Sequence, residues 1–163
     1  MILQLQSFEI FQYADYMETA LKEAQIPAIW ETDDDKLLSV NKLKEKNIEY
    51  ARSHFIKTPN LTVENQETKW KIEITTQVIK EWRQKSRTRP RVMAIRLLDV
   101  MIKTAVLVKT ESDNKQTQDI ESVSEFENWC MIEGNLYKIR IVVKKQPDRY
   151  FAYYFGAVKQ DEK

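Results

Sequence analysis

Between Phe126 and Val158 three apolar segments, FENWCMI, LYKIRIVVKK and RYFAYYFGAVK, are separated by only EGN and QPD. In the middle segment Tyr137, Ile139, Ile141 and Val143 share one parity, and Lys138, Arg140 and Lys144 share the other. A period of two buries one face of a strand and wets the other. Gly134-Asn135 offers the positive φ values of a tight hairpin, and Pro147-Asp148 suits a second turn in which a missing amide breaks no ladder. These features predict a three-strand antiparallel meander. Its apolar face needs a cover, which the preceding residues must supply.

Ile10, Tyr13, Met17, Ala20, Leu21 and Ala24 recur at spacings of three and four, predicting an amphipathic helix over 8–25 that Pro27 ends. The ETDDD stretch at 31–35 reads as a turn or N-cap cluster, with its acids at the positive end of a second helix. That helix has Leu37, Leu38, Val40, Leu43 and Ile48 as its apolar positions. Phe55-Ile56 begins a strand that Thr58-Pro59-Asn60 breaks, and 61–64 with 69–74 forms a hairpin. Thr75 or Thr76 caps a helix with Val78, Ile79 and Trp82 inward. Pro90 opens another helix through Val92, Ile95, Leu98 and Ile102. Ala105 to Lys109 reads as a short apolar strand, and 110–124 as a polar surface loop. The expected class is α+β: N-terminal helices packed on a C-terminal antiparallel sheet. The expected division is a helical N-terminal extension over 1–52 and an α+β domain over 53–163.

Composition narrows the chemistry. The 163 residues, 42% hydrophobic, suffice for one full core. Cys130 is the only cysteine and His54 the only histidine, so a disulfide within the chain, a cysteine cluster and a three-histidine zinc centre are excluded. Two glycines leave no Gly-rich phosphate loop, and no Ser-His-Asp or dinucleotide-binding signature is present. No metal and no cofactor is expected. No segment reaches the roughly 18 apolar residues of a membrane span, and the first residues lack a basic signal-peptide start. The expectation is therefore no membrane insertion and a cytoplasmic location.

A formal charge of +1 conceals segregation. Residues 1–35 carry eight acids against Lys22 alone, whereas 80–91 carry Lys80, Arg83, Lys85, Arg87, Arg89 and Arg91 against Glu81 alone. A local polyanion site is compatible with a neutral total, because contact is governed by the nearby field. Metal-independent RNA cleavage needs a base for the ribose 2′ hydroxyl, cations for the charge developing on phosphorus, and an acid for the leaving oxygen. His54 can exchange a proton near neutrality. Lys71, Arg83 and Arg140 are the candidate phosphate contacts at the reaction centre. Tyr153 or Tyr154 can stack a base or offer a hydroxyl. Lys80, Lys85, Arg87, Arg89 and Lys138 are candidate RNA-binding residues. If the chain is a nuclease, His54, Lys71, Arg83 and Arg140 should converge on one side of the sheet.

The succession KIEITTQVIKEW, AIRLLDVMIKTAVLVKTE and, after a variable loop, WCMIEGNLYKIRIVVKKQPDRYFAYYF resembles the phage-associated Barnase-EndoU-colicin E5/D-RelE-like domains. The variants most similar are those attached to large polyvalent phage proteins and to toxin tails. The resemblance covers about 61–158 and rests on the threonine-started helix after I-x-I, the central apolar helix and the strand beginning at Glu133-Gly134-Asn135. It implies a barnase/RelE-like sheet with one or two helices against it. It also implies a metal-independent endoribonuclease or toxin-like RNase acting on tRNA or another structured RNA, with a cognate immunity protein as partner. The alternative is a non-catalytic phage-derived interaction or antitoxin-like module, in which the acidic and basic segments form complementary protein surfaces.

Overall fold

The computed structural model describes residues 26–113 and 119–160. The helix expected over 8–25 lies outside them. In chain order the elements are β1 (Ala28–Ile29), α1 (Asp33–Lys36), α2 (Val40–Phe55), β2 (Thr62–Glu64), β3 (Lys71–Ile74), α3 (Thr76–Lys85) and α4 (Arg89–Met93). A 3-10 turn (Ala94–Leu97) leads into α5 (Leu98–Thr104), followed by β4 (Val106–Ser112), β5 (Ser122–Ile132), β6 (Asn135–Gln146) and β7 (Arg149–Lys159). The class is α+β, with helices from the first part of the chain packed on a curled sheet formed mostly by the last part.

The meander is present: β5, β6 and β7 pair antiparallel in sequence order. Its first turn sits one residue earlier than expected. Glu133 (φ 51°) and Gly134 (φ 79°) occupy it, and Asn135 already pairs with Ile132. Positive φ at both central residues is what a two-residue turn needs to match strand twist. Tyr137, Ile139, Ile141 and Val143 are buried, as their parity requires, and face the helices.

The rest of the sheet is mixed instead of wholly antiparallel. The strand order is β1-β5-β6-β7-β3-β2, with β4 also along β5; β1 runs parallel to β5 and β3 parallel to β7. A parallel pair needs a long crossover, and here everything from α3 to β6 lies between β3 and β7. The 62–64 and 71–74 hairpin forms as expected. Asn65 ties its turn to α5: the buried side-chain amide donates to Ile102 O (2.8 Å) and Ala105 O (2.9 Å), carbonyls a helix end leaves unpaired.

Three local expectations change. Phe55 closes α2 and is buried, so it begins no strand. Leu37 follows α1 and is 84% exposed, because the turn between α1 and α2 breaks the helical phase that would have buried it. β4 continues to Ser112 and β5 begins at Ser122, so both ends of the expected 110–124 loop are strand. β4 is exposed along most of its length, with Val106 and Val108 in its first half and the polar Lys109, Thr110, Glu111 and Ser112 in its second.

The acidic 31–35 stretch does more than cap a helix. Thr32 and Asp35 form a reciprocal capping box, and Asp35 has no exposed surface. Its Oδ2 and Oδ1 accept from Arg96 Nη1 (3.1 Å) and Nη2 (3.0 Å), and Lys46 Nζ donates to Oδ1 at 2.6 Å. Arg96 Nε also donates to Asn47 Oδ1 at 2.7 Å, and Asn47 Nδ2 donates to Val92 O at 2.9 Å. The cluster therefore fastens α1, α2, α4 and the 3-10 turn together. Burial alone would raise the Asp35 pKa, but the hydrogen bonds from Arg96, Lys46 and the Thr32 amide, with the Arg96 charge, hold it well below the usual carboxylate range.

Because the unfolded chain takes up the Asp35 proton first as pH falls, the carboxylate's contribution is complete above about pH 5 and declines toward the lower folded value. Asp35→Asn leaves Arg96 uncompensated and should destabilise by about 3–5 kcal/mol at pH 7. Denaturant midpoints at pH 7 and pH 3 check this: the gap between wild type and variant should narrow in acid, and a constant gap would refute the assignment.

Candidate nucleic-acid interface

α2 and α3 lie side by side. Between them a concavity of about 520 Å³ is lined by Asn41, Lys44, Glu45, Lys80, Arg83 and Gln84. A second, of about 250 Å³, is lined by Lys80 and Arg83 again, with Ile48, Arg52, Thr76, Gln77 and Ile79. The two share a wall and form one groove. Val78, Ile79 and Trp82 turn α3 inward, which leaves Lys80 and Arg83 on its flank. On α2, Lys44, Ile48 and Arg52 follow at intervals of four, one stripe of the helix.

The groove holds more positive than negative charge. Arg83 Nη2 lies 3.4 Å from Glu45 Oε1, and Lys44 Nζ donates to Arg83 O at 3.0 Å. Burial, then the charges of Arg87 and Arg83, lowers the Lys44 pKa. Lys80 has no carboxylate within ion-pair distance among the described residues. Such crowding of cations is relieved by an anion.

The other expected residues lie elsewhere. His54 is on the exposed last turn of α2, where Nδ1 is 2.8 Å from Tyr50 O and the ring stacks on Tyr50 at 3.9 Å. It lines neither concavity of the groove. Lys71 opens β3 and lines a cavity at the end of the sheet. Arg140 is on the sheet face turned away from the helices, bound to Glu125 at 2.8 Å with its guanidinium 5.5 Å from the Tyr154 ring centre. Lys71 adjoins Arg149 across the β3–β7 register, and Arg149 pairs with Gln146. Arg140 is six residues from Gln146, or about 20 Å along the strand at ~3.3 Å per residue. His54, Lys71, Arg83 and Arg140 thus occupy four separate places, since parity selects a face but not a position along it.

On the outer sheet face, Lys138 is bound to Glu127 at 2.9 Å. Lys85 is bound to Glu81 at 3.2 Å and reaches round the edge of β7 to lie 4.9 Å from the Tyr154 ring centre. Tyr153 sits at the irregularity opposite Val142 and Val143, with Lys144 Nζ 3.5 Å from its ring centre. Arg87 is exposed near the groove. Arg89 is used internally: it grips Glu31 through Nε (3.1 Å) and Nη2 (2.6 Å), and donates to Leu38 O (2.6 Å) and Asp35 O (2.8 Å). Its place in the basic run is therefore structural. Cys130 is buried, and desolvation pushes its thiol up to about 12, which removes it as a nucleophile. Among the described residues no group of three or more His, Cys, Asp or Glu side chains is placed to hold a metal ion.

Sequence reasoning found Lys80, Arg83 and Arg87 but missed Lys44 and Arg52. Their eight-residue spacing on α2, two intervals of four through Ile48, was the available signal, hidden because Glu45 and Glu49 interleave with them.

A family model described as large polyvalent protein-associated domain 3 matches residues 39–153. The matched stretch begins at the N-cap of α2 and includes both walls of the groove. No curated protein and no solved structure matches the chain. No helix of the described residues is long and apolar enough to cross a membrane.

Among the described residues Glu45 is the one carboxylate lining the groove. Glu45→Gln frees Arg83 and should tighten pyrophosphate binding about threefold to tenfold at low salt, as expected for removing a like charge beside an anion. Isothermal titration checks this. Unchanged or weaker binding would show that the groove does not receive the anion.

Proposed function

We propose, from the premise that the chain belongs to the large polyvalent protein-associated domain 3 family, that this phage-associated domain binds RNA through the groove between α2 and α3. The observation that carries this is the gathering of Lys44, Lys80 and Arg83 around one concavity with a single carboxylate, flanked by Arg52 and Arg87. Cations in this arrangement meet successive phosphates and release counterions, a sequence-independent source of affinity. The cytoplasm is where such a ligand would be met.

Metal-independent endoribonuclease action on tRNA or another structured RNA is the finer form of this proposal. The groove cations would stabilise charge developing on phosphorus, whereas His54, which lines neither concavity and lies two residues round α2 from Arg52, would reach only RNA that runs on past the end of the helix. A non-catalytic module for a protein partner, such as a cognate immunity protein, is favoured by one different observation. On the outer sheet face Lys138 and Arg140 are already neutralised by Glu127 and Glu125, giving a balanced surface that suits another protein better than a polyanion.

Filter binding of structured RNA over a salt series, followed by incubation with total RNA in a chelator, tests the proposal. Lys80→Ala with Arg83→Ala should weaken binding about tenfold or more and reduce the slope of log affinity against log salt by about 1–2. His54→Ala should leave binding intact, and loss of cleavage in it would place the reacting phosphate at the end of α2. Wild-type affinity in the double variant would reject the groove, and binding without cleavage across neutral pH would reject the nuclease form.

A further inference from the structure

The cavity at the end of the sheet contains groups that the groove does not use. Its volume is about 530 Å³, within the range of small-ligand sites, and it is lined by the 69–71 segment, by Lys145 and by the β6–β7 turn through Tyr150. Two half-buried aromatic rings meet there: Trp70 and Tyr150 stack with centroids 4.3 Å apart and planes 10° from parallel. Phe126 holds Trp70 from the core side, edge to face at 5.7 Å. The result is an aromatic platform at the wall of the cavity, with Lys145 Nζ 5.8 Å from the Tyr150 ring centre.

The cations around it differ in availability. Lys145 is bound to Glu121 at 2.6 Å and Arg149 to Glu73 at 3.0 Å. Lys69 and Lys71 have no ion-pair partner among the described residues. Of the two carboxylates lining the cavity, Glu73 is also held by Asn60 Nδ2 at 3.1 Å, which leaves Asp148 at the rim. The pair of free ammonium groups thus flanks Trp70 in sequence and lines the same space.

Lys69 is also held in a conformation that lysine disfavours. Its φ is 66°, in the left-handed region where glycine carries no penalty. The turn around it is over-determined: Lys69 N donates to Asn65 O and Asn65 N to Trp70 O, both at 2.9 Å, while the buried Asn65 side chain is anchored on α5. Strain of this kind persists where surrounding structure enforces it, and it clusters at functional sites. A glycine would satisfy the backbone better, whereas lysine places a charge at the cavity.

Resting on the reading that the domain binds RNA, we propose that this cavity takes one unpaired nucleotide of a single strand. Its base continues the Trp70–Tyr150 stack, and its phosphate lies between Lys69 and Lys71. A base has a free ring face only where it is unpaired and unstacked, so the cavity selects single-stranded segments. The groove, lined by cations without aromatic rings, accepts phosphates of either form.

The test uses the full chain with a fluorescently labelled oligouridylate of roughly ten nucleotides and an RNA duplex of equal length, each followed by anisotropy. Lys69→Gly with Lys71→Ala should weaken single-strand binding about tenfold and change duplex binding by less than about twofold. Lys69→Gly alone relieves the left-handed strain, so it should melt no lower than wild type and still bind the single strand more weakly; loss of affinity then cannot be blamed on unfolding. The oligouridylate should quench tryptophan fluorescence in wild type but not in Trp70→Phe. Unchanged single-strand affinity in the 69/71 variant, with affinity still lost in the 80/83 variant, would overturn this site and leave the groove standing. Equal loss for single strand and duplex would overturn it in favour of diffuse charge. Absence of binding to either RNA by wild type would overturn both the cavity and the groove.

Discussion

The orientation of α2 depends on a carboxylate with no exposed surface. Asp35 is bound by Arg96, Lys46 and the Thr32 amide, and Arg96 carries the connection on to Asn47 and thence to the Val92 carbonyl. A buried ion pair is weak evidence of net stability, because desolvation offsets much of its attraction. Its geometric effect is plainer. A bidentate guanidinium permits few relative positions of the segments it joins, and one of those segments is the helix that forms a wall of the basic groove. Arg89 adds a second fastening by gripping Glu31 and two backbone carbonyls from the same turn. The groove is thus positioned by polar contacts on the α1 side and by Leu43, Ile48 and Ala51 on the core side.

Local periodicity made the meander, α3 and the β2–β3 hairpin legible, because each is specified by residues two to four apart. Sheet order was not legible. The pairing of Ile72 with Tyr150 joins residues separated by most of the α+β unit, and no local pattern encodes it. The end of α2 was misread because Phe55-Ile56 looks like a strand start when the helical phase from Ile48 and Ala51 is not carried forward. Glu133 entered the hairpin turn despite its side chain because the register on both sides, Ile132 with Asn135, leaves two residues to reverse the chain.

The candidate sites were legible in part for a similar reason. Counting charge along the chain found the 80–91 run, but charge density in sequence differs from charge density in space. Arg89 belongs to the run and faces inward, because the acidic turn offers it a carboxylate and two carbonyls. Lys44 and Arg52 lie outside the run and join it across the helix pair. On the outer sheet face the segregation expected from composition disappears: β5 carries Glu125 and Glu127 beside the cations of β6, so cross-strand pairing neutralises Lys138 and Arg140.

One uninterrupted stretch supplies cations to both the groove and the end cavity. Lys69 and Lys71 lie at the start of β3, and β3 passes through Thr75 directly into α3, which carries Lys80 and Arg83. Ile72 and Ile74 hold the strand in the core, while Val78, Ile79 and Trp82 hold the helix, so both halves are fixed by fully buried or nearly fully buried side chains. The distance between the two sets of charges is consequently set by a strand and a helix, with no flexible loop between them. Loops that carry function tolerate changes in length, but an insertion between Lys71 and Lys80 would shift strand register or helix phase and move one site relative to the other. A strand of RNA that engages both would therefore be measured by a nearly rigid spacing, with the aromatic platform at one end and the phosphate groove at the other.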